Sequence, residues 1–147
     1  MKKKIIIVLL GFVLVACIRK LCIIRVQGDS MLPTLKNGEY IIGIRTNNIE
    51  KNDIIVFEKD DIVYIKRVIA CGECKVKICE ENKDIYIDNN LEGSIIWDGI
   101  SNKELIYIVP EDMYFVLGDN YGSSIDSRNF EVGFVEKSDI ICKALFK

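Results

Sequence analysis

The stretch RVQGDSMLPTL, residues 25–35, places a serine in a tight turn. Gly28 permits the backbone conformation that such a turn needs, and Pro33 stiffens the chain that follows. Ser30 in this position can expose its hydroxyl group and leave its own N–H free to bind an oxyanion. Ser30 is therefore a candidate nucleophile, although most serines in glycine-rich turns are only turn residues.

The composition narrows the choice of a general base for this serine. The 147 residues contain no histidine, which excludes a Ser-His-Asp mechanism and a histidine-ligated metal site. A base has to come from lysine, aspartate, glutamate, tyrosine or the amino terminus. Asp29 is next to Ser30 in an extended turn, so its side chain is expected to point away.

Lys66 is the candidate base because it lies within the apolar strand VYIKRVIA. Deprotonating an ordinary lysine at pH 7 costs roughly 4.6 kcal/mol, whereas burial can lower the lysine pKa by several units. A lysine with a lowered pKa can take the proton of a serine hydroxyl. The alternative is that either Lys66 or Arg67 extends to the surface while the other forms an ion pair.

A third polar segment, GDNYGSSIDSR at residues 118–128, directly follows the apolar strand MYFVL. Its glycine and Asx residues supply turn chemistry. Ser124 can hydrogen-bond a neutral amine, and Asp126 can pair with Arg128 or with Arg67. So many polar residues directly after a core strand indicate either a surface loop or a functional site.

From residue 24 onward the chain is predicted to be all-β and largely antiparallel, with barrel-like curvature. Short β-branched and aromatic runs recur between Gly and Asn turns, and no apolar 3.6-residue period persists over three turns. The predicted strands cover residues 39–45, 53–57, 61–70, 75–79, 84–88, 105–109, 113–117 and 139–146. Residues 71–108 are more polar, with turns expected at 89–90 and 92–94, and are predicted to be a small insertion.

An apolar run, IIIVLLGFVLVACI at residues 5–18, follows a basic flank at residues 1–4. We interpret residues 5–24 as one transmembrane helix of a cell-membrane protein, with the lysine-rich flank in the cytoplasm. Residues 25–147 would then form an extracytoplasmic catalytic domain. Two alternatives are a cleaved secretory signal and a lipoprotein processing site that leaves lipid on Cys17.

The charge and the cysteines limit the partners. A formal net charge of −2 and a pI of about 5.3 supply no basic field for nucleic acid. Cys71, Cys74 and Cys79 form a loose cluster that could hold zinc only if Cys142 joined them. A disulfide within the cluster or free thiols are the other interpretations, and Cys142 is expected to pack in the last strand.

These stretches together resemble the bacterial type I signal peptidases, membrane-anchored serine proteases with a Ser/Lys dyad. GDSMLPTL is similar to their nucleophile motif, YIKRVIA to the strand of the lysine base, and YFVLGDNYGSSIDSR to their last signature. NDIIVF and VGFVEKSDIICKA are similar to further segments, so the resemblance covers nearly the whole chain. It implies curled antiparallel sheets with a small inserted subdomain, and it implies no cofactor and no metal. The implied substrates are secretory preproteins with small residues at −1 and −3.

The resemblance implies roles for the three polar stretches. Ser30 would be the nucleophile, with its own N–H in the oxyanion hole, and Lys66 would be the general base. Ser124 would hydrogen-bond Lys66 and orient it.

Three places depart from the family pattern. Gly28 lacks the hydroxyl that some members add to the oxyanion hole, and Tyr121 stands where an arginine is common. After the lysine strand, Ala70-Cys71-Gly72-Glu73-Cys74 replaces the usual Gly-Leu-Pro-Gly-Asp.

The resemblance also implies structural and substrate-binding residues. Asp126 would form ion pairs with Arg67 and Arg128 that hold the last signature against the lysine strand. The residues near the pockets for the −1 and −3 side chains would be Met31, Leu35, Tyr64 and Ile65.

Three other functions are compatible with parts of this pattern. One is a specialised peptidase of the same fold that processes a single conjugation or pilus protein. Another is an inactive membrane-tethered β-domain that binds peptides. A self-cleaving repressor with a similar Ser/Lys core would need a DNA-binding domain, which residues 1–24 are too short to supply.

Overall fold

The computed structural model describes residues 19–95, 99 and 101–145, and these residues are mainly β-strand. The strands are β1 (Leu21–Arg25), β2 (Tyr40–Ile44), β3 (Ile54–Lys59), β4 (Ile62–Cys71), β5 (Lys75–Cys79), β6 (Asp84–Ile87), β7 (Asn90–Ser94), β8 (Glu104–Ile108), β9 (Met113–Leu117), β10 (Val135–Glu136) and β11 (Ile140–Ala144). Two short 3-10 helices cover Tyr121–Ser123 and Lys137–Asp139. The runs of Ile, Val, Tyr and Phe that predicted strands do form them, because such side chains pack well on a pleated, half-buried surface.

The main sheet has seven strands in the order β1-β2-β11-β3-β4-β9-β10, and every pairing is antiparallel. Strand β11, the last along the chain, lies between β2 and β3. Lys143 of β11 pairs with Ile44 on one side and with Ile55 on the other. Ser30 follows β1 and Lys66 lies in β4, so the two candidate catalytic residues come from opposite halves of this sheet.

A second sheet has four antiparallel strands in the order β7-β6-β5-β8 and lies within residues 71–108. Asp88 and Asn89 both have positive φ, as the two-residue turn between β6 and β7 needs. Strand β7 itself was not predicted. Its five residues are all exposed, so its sequence lacks an apolar alternation, and backbone pairing to β6 forms it instead.

The segment before the first turn differs from its prediction. Leu21–Ile24, which we expected at the end of the anchor, lie in strand β1 and pair with β2. Cys22 and Ile24 turn inward against the core, while Ile23 is exposed, which is the period-2 pattern of a half-buried strand. Residues 1–18, where the rest of the predicted anchor falls, lie outside the described residues.

No helix within residues 19–95, 99 and 101–145 has the length and apolar character needed to cross a membrane.

Among the residues that the structure describes, the core consists of three clusters of buried apolar side chains. One cluster packs the turn around Ser30 against β2, β3 and β11 and includes the fully buried Cys142, as predicted. Another lies between the two sheets. In this part of the chain Cys71, Cys74 and Cys79 are free thiols, so the disulfide considered for that cluster is not formed.

Candidate active site

The turn that carries Ser30 is held from below by two buried side chains. Met31 and Leu35 are both in the core, and the Leu35 N–H donates to the Met31 carbonyl over 2.9 Å. Gly28 has a φ of +80°, a backbone conformation that side-chain-bearing residues rarely adopt. The sequence GDSMLPTL therefore forms a turn with Ser30 at its surface, between a glycine with positive φ and the buried side chain of Met31.

Lys66 and Ser30 meet in the structure. Lys66 Nζ lies 2.9 Å from Ser30 Oγ and donates to the Ile65 carbonyl oxygen over 2.8 Å. Lys66 is only 4% exposed, and its backbone pairs with Ile55 in the β3–β4 ladder. The distance between Nζ and Oγ is within the range that a general base needs to take the proton of a hydroxyl group.

The surroundings of Lys66 favour its neutral form. None of the ion pairs among the described residues includes Lys66. Burial lowers the pKa of Lys66 from the ordinary 10.5 to about 8, and the negative charges of Asp126 and Asp119 oppose part of that lowering. Removal from water disfavours the ammonium form of Lys66. The two carboxylates are too distant to form an ion pair that would restore it.

Arg67 has a different partner from the one predicted. Its guanidinium binds Asp119 through two bonds, Nε to Oδ1 at 2.8 Å and Nη2 to Oδ2 at 2.6 Å. The predicted ion pair between Arg67 and Asp126 is wrong, because Arg67 is opposite Leu117 in the β4–β9 ladder and Asp119 is only two residues beyond. The hydrogen bond with Asp119 is the main cause that raises the pKa of Arg67.

Asp126 and Arg128 form the other predicted pair. Asp126 is fully buried, with Arg128 Nε at 2.7 Å from Oδ1 and the Gly118 N–H at 3.0 Å from Oδ2. The Arg128 guanidinium stacks on the Tyr121 ring at 3.5 Å, and the Tyr121 hydroxyl donates to Glu80 over 2.8 Å. These contacts tie the 118–128 loop to itself and to the second sheet.

Ser124 lies close to the dyad but does not contact it as predicted. Its Oγ is buried and has no hydrogen-bond partner within the described part of the chain. It packs against Gly118, where an added Cβ would lie 2.2 Å from Ser124 Oγ and 2.5 Å from the Ser30 carbonyl oxygen. The hydrogen bond between Ser124 and Lys66 is therefore absent from this conformation, and a side chain at position 118 would displace Ser30 or Ser124.

Asn120 is a site residue that the sequence did not indicate. Its N–H donates to the Ser30 carbonyl over 2.9 Å, and its side-chain amide donates to the Asp29 carbonyl over 3.1 Å. These bonds attach the nucleophile turn to the loop after β9. The only sequence signal was the density of turn-forming residues at 118–128, which many surface loops share.

A cleft of about 270 Å³ lies beside Ser30 and Lys66. Three of the four residues predicted to bind substrate line it. They are Met31, Tyr64 and Ile65. The fourth, Leu35, is buried in the core beneath the turn, because its side chain helps to anchor that turn.

A serine hydroxyl beside a buried lysine without an ion-pair partner, in a chain without histidine, is the arrangement of a serine hydrolase that uses a lysine base. The family model for signal peptidase, peptidase S26, matches residues 2–147, and the chain belongs to this family. The prediction of a signal-peptidase-type serine protease is thereby confirmed.

Individual relatives agree with the family. The chain is 34% identical to signal peptidase IB of Staphylococcus aureus, over 83% of this chain and 74% of the relative. It is 32% identical to signal peptidase I S of Bacillus subtilis, over 71% and 64%. The crystal structure of a signal peptidase I from Enterococcus faecalis superposes with a TM-score of 0.51 at 29% identity, covering 65% of this chain and 95% of that one. The mainly antiparallel β fold is thus of the signal peptidase type.

Proposed function

We propose that the protein cleaves signal peptides from secretory preproteins with Ser30 as nucleophile and neutral Lys66 as general base. The observation that carries this proposal is the 2.9 Å distance between Ser30 Oγ and Lys66 Nζ. Family membership supports the reaction. The burial of Lys66 supports its assignment as the base.

The reaction would proceed in two steps through an acyl-enzyme. In the first step Lys66 Nζ takes the hydroxyl proton while Ser30 Oγ attacks the scissile carbonyl carbon. The Ser30 N–H stabilises the oxyanion, and protonated Lys66 gives its proton to the leaving amine of the mature protein. In the second step Lys66 takes a proton from water, the resulting hydroxide attacks the acyl carbon, and the proton returns to Ser30 Oγ.

The lowered pKa of Lys66 decides how much enzyme is ready to react. With a pKa of about 8, roughly one Lys66 in ten is neutral at pH 7. An ordinary lysine would be neutral in roughly one molecule in 3,000. Burial therefore supplies most of the active base, and the site needs no histidine.

The cleft beside the dyad would receive the residues before the scissile bond. Met31, Tyr64 and Ile65 line it, and we assign to it the small side chains at −1 and −3 of a signal peptide. The role of Ser124 would be to bind the Lys66 amine when substrate closes the site. Its buried, unpartnered Oγ supports this assignment, because an unpaired buried hydroxyl is costly.

We also propose that the residues before β1 hold the protein on the cytoplasmic membrane, with the catalytic part on the outer side. The apolar run at residues 5–18 and the basic flank before it support this placement. Signal peptidase I proteins are membrane-associated in general. Ser30 follows the run closely in sequence, which would keep the nucleophile near the membrane surface.

Cleavage of a synthetic preprotein peptide with Ala-x-Ala before the scissile bond tests the dyad. We expect Ser30→Ala and Lys66→Met each to lower kcat/KM by at least about 10³-fold, the range of a lost nucleophile or general base. Lys75→Met, at an exposed lysine of β5, is the matched control and should keep full activity. A Lys66→Met protein that retains a tenth of the wild-type rate would refute the dyad.

Covalent labelling separates this proposal from a peptide-binding domain without activity. A β-lactam-type acylating agent should add its mass to the wild-type protein and not to Ser30→Ala. A folded wild-type protein that binds the peptide but is neither labelled nor active would favour the inactive domain. Cleavage of only one preprotein from a broad panel would favour the specialised peptidase.

A further inference from the structure

A second cavity lies between the two sheets, beside the part of β4 that follows Lys66. Its volume is about 340 Å³, within the range of pockets that bind ligands. Its walls combine aliphatic side chains from both sheets with charged and polar side chains. The main sheet contributes Ile69 and Leu117, and the second sheet contributes Ile85, Ile87 and Ile95 at its end. Neither the dyad nor the substrate cleft uses these side chains.

The cavity is close to the nucleophile. Pro33 and Thr34, which follow Ser30 in the same turn, line it, and so does Gly118. A Cβ at Gly118 would be 2.5 Å from the Ser30 carbonyl oxygen, so the cavity wall at Gly118 packs closely against the backbone of Ser30. A ligand in the cavity would therefore lie beside the reacting serine.

Strand β4 connects the two pockets. Tyr64 and Ile65 line the substrate cleft, Arg67 and Ile69 line the cavity, and Lys66 lies between them. A peptide with its preceding residues in the cleft and its scissile bond at Ser30 would reach the cavity if it continued along β4 in the direction of Arg67 and Ile69.

We propose that this cavity binds the first residues after the scissile bond, the start of the mature protein, and accepts one apolar side chain from them. This inference rests on the proposed signal-peptide cleavage. Two ion pairs, Arg67 with Asp119 and Lys51 with Glu92, line the cavity and balance each other's charges. Since no unpaired charge remains among its lining residues, an acidic or basic side chain would lose water there without gaining a partner.

Two peptides with the same signal part test the proposal on the purified protein. The short peptide ends one residue after the scissile bond, and the long one adds four residues that include a leucine. We expect the KM of the long peptide to be roughly tenfold lower, a factor equivalent to about 1.4 kcal/mol. Replacing that leucine by aspartate should remove the gain.

Gly93 offers a way to fill the cavity without disturbing the core. It lines the cavity, and a Cβ added there would have no neighbour within 4 Å. Gly93→Trp should raise the KM of the long peptide to that of the short one and leave the short peptide unaffected. Leu91→Trp is the matched control, because Leu91 is an exposed residue of the same strand that does not line the cavity. Gly93→Leu serves as the second variant if Gly93→Trp does not fold.

The outcomes separate this inference from the proposed function. Equal KM values for both peptides in wild type would overturn the cavity assignment while cleavage itself stands. The same follows if a folded Gly93 variant keeps the full gain, or if aspartate binds as well as leucine. Failure of the wild-type protein to cleave either peptide would instead refute the proposed function.

Discussion

Lys66 and Arg67 are consecutive residues of β4, but only Arg67 has an ion-pair partner among the described residues. Lys66 is buried without an ion pair, and burial lowers its pKa to about 8. Arg67 is bound by both carboxylate oxygens of Asp119, and its pKa is raised. One residue along the strand thus changes the environment of a cation from unpaired to fully paired.

The comparison separates a residue whose charge is paired in the fold, Arg67, from a residue whose burial destabilises the fold, Lys66. Alternation along a strand sends neighbouring side chains to different surroundings. Arg67 holds the 118–128 loop by an ion pair. The pKa change of Lys66 corresponds to about 3 kcal/mol of lost stability when the lysine is protonated. A buried lysine without an ion-pair partner, the proposed base, is therefore a cost to the fold.

The largest expected effect on activity comes from replacing Lys66 by arginine, the residue type of its neighbour Arg67. Lys66→Arg keeps the positive charge but cannot become neutral near pH 8. We expect kcat/KM to fall by at least about 10³-fold, measured on the Ala-x-Ala peptide. Unchanged thermal unfolding would show that the loss is chemical, whereas substantial activity would mean that Lys66 is not the base.

Removing the carboxylate of Asp126 tests the buried pair that supports this region. Asp126→Asn leaves Arg128 without its counter-ion in a largely buried position. We expect the free energy of unfolding to fall by about 3 kcal/mol, measured by urea denaturation. Glu111→Gln, at an exposed carboxylate, should change it little, and equal stabilities for both variants would contradict the role of the pair.

Substitution by methionine should change the free energy of unfolding in opposite directions at Lys66 and at Arg67. Lys66→Met removes a buried ammonium and should raise the free energy of unfolding by about 2 kcal/mol at pH 7. This gain is smaller than the cost of about 3 kcal/mol given above for protonated Lys66, because the variant also loses the two hydrogen bonds of the lysine. Arg67→Met leaves Asp119 unpaired and should lower it by about 2 kcal/mol. Two destabilised variants would break the comparison.

The stabilisation by Lys66→Met should also depend on pH. The folded pKa of Lys66 is below the unfolded value of 10.5, so the unfolded chain binds more protons and the wild type gains stability from this group as pH rises from 8 to 10.5. The advantage of Lys66→Met should be largest below pH 8, and above pH 10.5 it should reverse sign, because only the cost of the two lost hydrogen bonds then remains. Urea denaturation at several pH values measures it, and a constant difference would contradict the assignment.

The smallest effect concerns the pH dependence of the rate. Because the proposed base is neutral Lys66, kcat/KM of the wild type should rise with pH through a midpoint near 8. Asp119 raises the pKa of Lys66 through its charge, so Asp119→Asn should move the midpoint to lower pH. A rate that is highest below pH 6 would contradict the lysine base.

Much of this site could be predicted because the chemistry depends on residue types. With no histidine in the chain, a lysine inside an apolar strand was the suitable base for Ser30, and the strands followed from β-branched runs. The partner of Arg67 could not be predicted, since Asp119 and Asp126 lie in one loop whose backbone path decides which carboxylate approaches. Asn120 was missed because it acts through backbone carbonyls, which no sequence pattern records.

The position of β11 has a consequence for the newly synthesised chain. Strands β2 and β3 are not paired with each other, and each pairs with β11 instead. The half of the sheet that bears Ser30 and the half that bears Lys66 are therefore joined by a strand that leaves the ribosome after both. We therefore expect the contact between Ser30 and Lys66 to form only after β11 has inserted between the two halves.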